Sequence, residues 1–282
     1  VPTITIQNKG TNTITAVTVN YTIDGGANST YNWSGTLASN ATTQINIPAF
    51  AATEGNHTFS VETIINNDTY TTNNSNSASF SVNGSNATPT TVNTFESTND
   101  NLVVEASGAG AGTLGLWVRG TPTKTLLNSV GSGNSAYVTT LNGNHPDKTT
   151  GYLYTKCYDL TSVSSPVLSF KMAFDIENEW DYMTVEYTTD QGGNWTTLGS
   201  STDANWYNSN STANGLPGKQ WTGQGENTNS LGGTNATLHD YSFDLAAFTT
   251  QPNVLFRFKF AADDASNEEG ALIDDLVITG VL

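Results

Sequence analysis

The chain has 282 residues and carries 25 acidic against 9 basic side chains, a formal net charge of −16. This charge argues against nucleic acid as a partner, because binding to phosphates depends on lysine and arginine displacing counterions. It also argues against an anionic membrane surface, and no apolar run approaches the roughly 20 residues of a membrane span.

The composition predicts an all-β protein. Only 12% of the residues are charged. Eleven Phe, eleven Tyr and six Trp supply apolar area for a core. The polar residues are mostly Asn, Thr, Ser and Gly, which favour turns and exposed strand faces over helices. The single Cys157 excludes an internal disulfide but does not exclude export.

Residues 1–83 predict short strands separated by turns. Val17, Val19 and Tyr21 share one face of a strand, since successive side chains alternate. The Asp24-Gly25-Gly26 turn is typical of a hairpin, because glycine adopts positive φ without a steric clash. About seven strands in this length indicate an immunoglobulin-like sandwich, with segments predicted at 4–6, 17–23, 31–33, 43–47, 57–65 and 78–82.

Residues 84–91 are polar, contain Gly and Pro and lack periodicity, which predicts a linker. The balance of acidic and basic residues also changes at this segment. The first 90 residues hold one lysine against four acids, so that −13 of the −16 falls in the remainder.

Residues 92–282 predict a larger jelly-roll sandwich, in which distant strands close two antiparallel sheets. Within 254–260, Phe256, Phe258 and Phe260 share one face while Arg257 and Lys259 share the other. The other clear strands are predicted at 136–141, 166–174, 183–188 and 272–279.

Motifs spread along this second domain resemble the bacterial MAM-like jelly-roll domains of secreted peptidases and surface proteins, especially in Bacteroidetes. They are Phe95-Glu96, residues 116–122, 135–143 and 151–154, residues 185–195, Asn205-Trp206-Tyr207-Asn208, and residues 270–275. The first domain resembles the adhesion-related (CARDB-type) Ig-like modules of bacterial surface proteins, through residues 8–11, 21–26, 33–37 and 55–58. The resemblance implies an exported, extracellular or cell-surface, non-catalytic region. Since the chain begins within a strand-like segment, we expect it to be a fragment of a longer protein.

Acidic residues form the first candidate site. Asp175, Glu177, Glu179 and Asp181 alternate in phase with Met183 and the strand that follows. If they extend that strand's inward row, their charges repel unless a cation binds between them. Calcium takes about six to eight oxygen ligands, which Asp, Glu and Asn supply. Two further acidic pairs, Asp263-Asp264 and Glu268-Glu269, lie before the last strand.

A second candidate calcium site joins the ends of the second domain. Glu96 opens its first strand, while Asp274 and Asp275 interrupt the apolar last strand. One of the two aspartates must face inward, and an unpaired buried carboxylate is costly. The resemblance also implies a structural cation between the first and last strands. The alternatives are solvated acids at the rim, or a carboxylate that accepts backbone N–H groups.

The candidate ligand-binding residues are aromatic side chains in polar, loop-like segments, together with Asp181. Sugar rings stack on aromatic faces while Asn and Asp bond their hydroxyls. The set is Trp180, Asp181, Trp206, Tyr207 and Trp221. For Trp206 and Tyr207 the favoured alternative is that they hold a long loop against the sandwich.

No motif indicates catalysis. Glu179-Trp180-Asp181 is similar to the Glu-x-Asp-x-x-Glu signature of a β-sandwich glycosidase family, but Thr184 stands where the third acid belongs. The three histidines are scattered, and Cys157 is expected to be a small buried residue.

The sequence therefore predicts a calcium-stabilised binding or adhesion region for a polysaccharide or surface glycoconjugate. The alternative is a structural spacer or assembly module, either an accessory region of a secreted peptidase or a subunit of an extracellular filament or surface layer. Such a module contacts a surface protein or assembles with itself through edge strands.

Overall fold

The computed structural model describes residues 2–84, 86–108, 110, 116–223 and 237–282. All regular structure in this part of the chain is β-strand, apart from 3-10 turns of three residues each. The chain divides into two compact units, Val1–Val82 and Asn83–Leu282. Within the described residues, the fold contains no helix with the length and apolarity that crossing a membrane requires.

The first unit is a small sandwich of six strands. Each segment predicted as a strand in this region forms one, so the prediction is confirmed for six strands rather than seven. Alternation places Val17, Val19 and Tyr21 in a core with Ile45 and Ile47. The strands are β1 (Thr3–Gln7), β2 (Ile14–Ile23), β3 (Ser29–Leu37), β4 (Thr42–Asn46), β5 (Gly55–Ile64) and β6 (Ser75–Val82), with a 3-10 turn at Thr71–Asn73; they form a four-stranded sheet β3-β2-β5-β6 and a pair β1-β4.

The segment predicted as a linker, residues 84–91, belongs instead to the second unit and is hydrogen-bonded within it. Strand β7 (Asn86–Ala87) pairs in parallel with β12 (Cys157–Tyr158). The backbone N–H of Thr90 donates to the carbonyl of Ile278 at 2.7 Å. Gly and Pro content does not reveal such pairing, because these bonds use backbone groups whose partners are distant in sequence.

The second unit contains two five-stranded antiparallel sheets. Their orders are β16-β13-β18-β10-β9 and β15-β14-β17-β11-β8, and all five strongly predicted strands are present. The strands are β8 (Val103–Gly108), β9 (Trp117–Gly120), β10 (Ala136–Thr139), β11 (Thr149–Tyr154), β13 (Ser164–Asp175), β14 (Tyr182–Thr188), β15 (Thr196–Thr197), β16 (His239–Asp244), β17 (Leu255–Ala261) and β18 (Gly270–Val281), with 3-10 turns at Thr98–Asp100, Ala213–Gly215 and Ala246–Phe248.

Aromatic side chains fill the space between these sheets. Phe256, Phe258 and Phe260 of β17 are fully buried, as their alternation predicts. Phe170 of β13 meets Phe258 edge to face, with ring centroids 4.8 Å apart. This packing joins the two sheets into one sandwich and leaves Arg257 and Lys259 on the outer face of the second sheet.

Loops from both sheets meet at one end of this sandwich. The β13–β14 turn approaches the β17–β18 loop, where the Asp263 amide donates to Asp181 Oδ1 at 2.9 Å. The β10–β11 loop joins them through His145, whose amide donates to the Glu268 carbonyl at 2.9 Å. This end of the sandwich holds the acidic residues of the first candidate calcium site and the turn that carries Trp180.

Candidate ligand-binding and metal sites

Three of the predicted ligand-binding aromatic residues are buried, which corrects their assignment. Trp206 and Tyr207 are 4% exposed and Trp221 is fully buried, so none offers a ring face to a sugar. Their polar atoms are bonded internally: Trp206 Nε1 donates to the Leu198 carbonyl at 2.9 Å, and Tyr207 Oη accepts from the Val185 amide at 2.9 Å. These residues hold the described part of the segment after β15, up to residue 223, against the sandwich, as the alternative interpretation expects for Trp206 and Tyr207.

Trp180 is different, because this residue is 46% exposed. It lies on the β13–β14 turn between two residues that are fixed by hydrogen bonds. The Glu179 amide donates to Thr222 Oγ1 at 2.9 Å, and Asn214 Nδ2 donates to the Glu179 carbonyl at 3.0 Å. On the other side, Thr222 Oγ1 donates to the Asp181 carbonyl at 2.8 Å. The exposed indole is therefore presented by an ordered turn.

The predicted row of four acids does not form on one side. Glu179 has φ +62° and is exposed, because the chain turns here instead of continuing the strand. Asp175 is buried at the end of β13, where Oδ2 accepts the Glu269 amide at 3.2 Å. Glu177 and Asp181 converge with Asp263, and one carboxylate oxygen from each lies within 4.8 Å of the other two. Among the described residues, no other three His, Cys, Asp or Glu side chains meet this criterion.

Glu96, Asp274 and Asp275 do come together, around residues 131–135. Glu96 Oε1 accepts the amides of Asn134 and Ser135, at 2.9 and 2.7 Å. Asp274 is fully buried and its Oδ2 accepts the amides of residues 131 and 132, while Asp275 Oδ1 accepts the Ser132 hydroxyl at 2.5 Å. Burial raises the pKa of Asp274 to about 6. The alternative in which backbone N–H groups satisfy carboxylates describes these contacts, while the metal site predicted at the three residues stays a prediction.

The outer face of the second sheet carries a cluster that the sequence analysis missed. The guanidinium carbon of Arg257 lies 4.0 Å from the Trp195 ring centroid and 4.2 Å from that of Tyr152. Arg257 Nε also donates to Glu186 Oε2 at 2.6 Å, and its Nη1 donates to the Tyr154 hydroxyl at 3.3 Å. The alternation of Arg257 with the core phenylalanines predicts that Arg257 lies on the outer face of the sheet. It does not identify the partners of Arg257, which come from β11, β14 and the segment before β15.

Two groups with reactive side chains have ordinary structural roles. Cys157 is partly exposed and not fully buried as expected, and its partial burial raises the pKa of the thiol, which disfavours the nucleophilic thiolate. In the first unit, His57 Nδ1 lies 2.7 Å from Asp24 Oδ2, and Nε2 lies 2.7 Å from the Thr53 carbonyl. This pairing raises the pKa of His57 and lowers that of Asp24, and it ties the β2–β3 turn to β5.

No protein-family profile matches the chain, and no curated protein matches its sequence. Among solved structures, the K2 cleaved adhesin domain of Lys-gingipain aligns with 67% of this chain and 98% of its own, at 16% identity and a TM-score of 0.40. TmCBM61 in complex with β-1,4-galactotriose aligns over 63% of this chain and 88% of its own, at 9% identity and a TM-score of 0.36. SGBP-B, from a complex xyloglucan utilization locus in Bacteroides uniformis, aligns over 99% and 69%, at 9% identity and a TM-score of 0.35.

Proposed function

We propose that the second unit is a non-catalytic glycan-binding domain of an extracellular or cell-surface protein, and that Trp180 is its stacking residue. One observation carries the proposal: a tryptophan that is 46% exposed stands on a turn whose two flanking residues are fixed by hydrogen bonds. A turn that is ordered before binding loses little conformational freedom when a ligand covers it.

The chemistry around Trp180 suits a polyhydroxylated ligand. A flat indole face packs against the C–H face of a sugar ring. Asn178 and Glu179 precede it on the turn and Asn214 bonds to that turn, so the turn also supplies amide and carboxylate groups. These groups donate to and accept from hydroxyls.

The size of the effect follows from the exposed area of Trp180. A tryptophan residue presents about 250 Å² in total, and 46% of it is exposed here. A sugar that covers half of the exposed part removes about 60 Å² from water, worth about 1.5 kcal/mol at about 25 cal/mol per Å². That corresponds to about a tenfold change in Kd.

The experiment is a glycan-array screen of the full chain, followed by titration of the best ligand with Trp180→Ala. We expect the variant to bind about tenfold more weakly. Leu126→Ala is the matched control, because Leu126 is another large apolar residue of the second unit with 48% exposure. Equal weakening by both variants, or binding that does not respond to Trp180→Ala, contradicts the proposal.

A second candidate function is assembly through the first unit. Its four-stranded sheet is bordered by β3 and β6, which are nine and eight residues long and contain no charged residue and no proline. Proteins ordinarily protect edge strands with such residues, because unpaired N–H and C=O groups accept a neighbour's strand. Analytical ultracentrifugation tests this function: oligomers that dissociate in Ser34→Lys or Ser79→Lys support it, and a monomer at all concentrations contradicts it.

A further inference from the structure

We propose that Glu177, Asp181 and Asp263 form a calcium-binding site at the loop end of the second unit. The three carboxylates come from the β13–β14 turn and the β17–β18 loop, and one oxygen of each lies within 4.8 Å of the other two. Two ligands on opposite sides of a calcium ion are about 4.8 Å apart, since each Ca–O distance is about 2.4 Å. The spacing therefore fits one ion that all three residues contact.

Two carboxylate oxygens of this cluster are buried without a hydrogen-bond donor. They are Glu177 Oε2 and Asp181 Oδ2, and the Asp181 side chain is fully buried. A buried carboxylate oxygen without a partner is costly, because it has lost water and gained no donor. A cation beside these two atoms removes that cost for both.

His145 does not supply the missing donor. Its Nε2 lies 3.2 Å from Asp181 Oδ2, but the same nitrogen accepts the Glu268 amide at 3.2 Å. A nitrogen that accepts an N–H carries no hydrogen of its own to donate, so two acceptors face each other across this contact. Protonating Nε2 would satisfy Asp181 and leave the Glu268 amide without its acceptor.

In the described part of the chain, no Lys or Arg side chain pairs with the cluster to balance its charge. The nearby Lys148 Nζ is 3.3 Å from Asp264 Oδ2 instead. Within the described residues, the ion pairs of the cluster are limited to the His145–Asp181 contact. Three carboxylates without Lys or Arg favour a hard divalent cation with oxygen ligands, which is the chemistry of calcium.

This site is separate from the cluster of Glu96, Asp274 and Asp275, whose oxygens accept N–H and O–H groups. It also stands independently of the proposed glycan-binding function, because calcium binding is measured with the ion alone.

The test is isothermal titration of CaCl₂ into the full chain after EDTA treatment and desalting. We expect one ion per chain and a higher melting temperature in calcium than in EDTA. Asp263→Asn is expected to weaken calcium binding at least tenfold, while its amide oxygen still accepts the Ala265 amide that Asp263 Oδ1 accepts at 2.9 Å. Glu177→Gln is the second variant, with the same expected loss, should Asp263→Asn fail to fold.

Glu179→Gln is the matched control, since this exposed acid lies on the same turn but outside the cluster. It is expected to bind calcium as the parent chain does. The proposal is overturned if the parent chain gives no binding heat and the same melting curve in calcium and EDTA. It is also overturned if Glu96→Gln abolishes binding while Asp263→Asn and Glu177→Gln leave it intact.

Discussion

Replacing Arg257 by alanine tests how the outer face of the second sheet is held together. The guanidinium lies between the rings of Trp195 and Tyr152, at 4.0 and 4.2 Å, and pairs with Glu186. Both charged side chains of the pair are only 14% exposed. Arg257→Ala removes the ring contacts and leaves the Glu186 carboxylate mostly buried without its cation.

The expected loss is about 3 kcal/mol in the free energy of unfolding of the second unit. Each cation–π contact at partial exposure contributes about 0.5–1 kcal/mol. Breaking a fully buried ion pair costs about 3–5 kcal/mol and an exposed one about 1 kcal/mol or less, so an intermediate value of about 2 kcal/mol applies at this exposure. For a unit of this size, about 3 kcal/mol lowers Tm by roughly 6–12 °C.

Thermal unfolding followed by tryptophan fluorescence measures this change, since five of the six tryptophans lie in the second unit. A double-mutant cycle with Glu186→Gln should return a coupling energy of about 1–2 kcal/mol. Arg257→Lys keeps the charge but loses the planar stacking and the fork geometry, so it should lose about half as much stability as the alanine variant. A loss below about 0.5 kcal/mol for Arg257→Ala, as at an ordinary surface position, would refute the reasoning.

Three further predictions concern single side chains. The raised pKa of His57 adds stability below its ordinary value of about 6.5, and this stability is lost as the pH rises through the folded-state pKa. The parent chain should therefore exceed His57→Gln in Tm by more near about pH 5.5 than near about pH 8.5. At lower pH the difference in Tm should shrink again, because the stability that comes from the lowered pKa of Asp24 is lost as that carboxylate is protonated. Trp206→Ala should destabilise the second unit by about 3–5 kcal/mol, while Trp180→Ala should change it by less than about 0.5 kcal/mol, and chemical denaturation compares the two. Thr222→Val removes the hydroxyl that fixes the Trp180 turn, so denaturation should show a loss of about 1–3 kcal/mol; unchanged stability would mean that the turn is held by its other bonds.

The strands were predictable because their pattern is local. Phe256, Phe258 and Phe260 alternate with polar residues, and strand periodicity alone places them in the core. The long β13 and β18 were equally clear from their apolar runs.

The assignment of Trp206, Tyr207 and Trp221 failed because a polar, turn-rich loop looks solvent-exposed in sequence. Burial of these rings depends on contacts with β13, β14 and β16, such as the edge-to-face packing of Phe170 on Trp221 at 6.1 Å. No local periodicity encodes contacts of this kind, since the partners are distant along the chain.

The acidic clusters were partly predictable. The sequence brings Glu177 and Asp181 into one candidate site, but it includes Glu179, because the positive φ at that residue is not visible in the alternation. Asp263 lies 82 positions after Asp181 in the sequence, so the sequence analysis did not place the two residues in one site. In the structure, the backbone amide of Asp263 donates to the Asp181 side chain.

The most direct test of the glycan-binding proposal is a crystal structure of the chain with the strongest ligand from the array. The account predicts a sugar ring stacked on the indole of Trp180, with its hydroxyls bonded to the Asn178–Glu179 turn or to Asn214. A sugar bound instead on the outer sheet face, against Tyr154 and Trp195, would contradict the role given to Trp180.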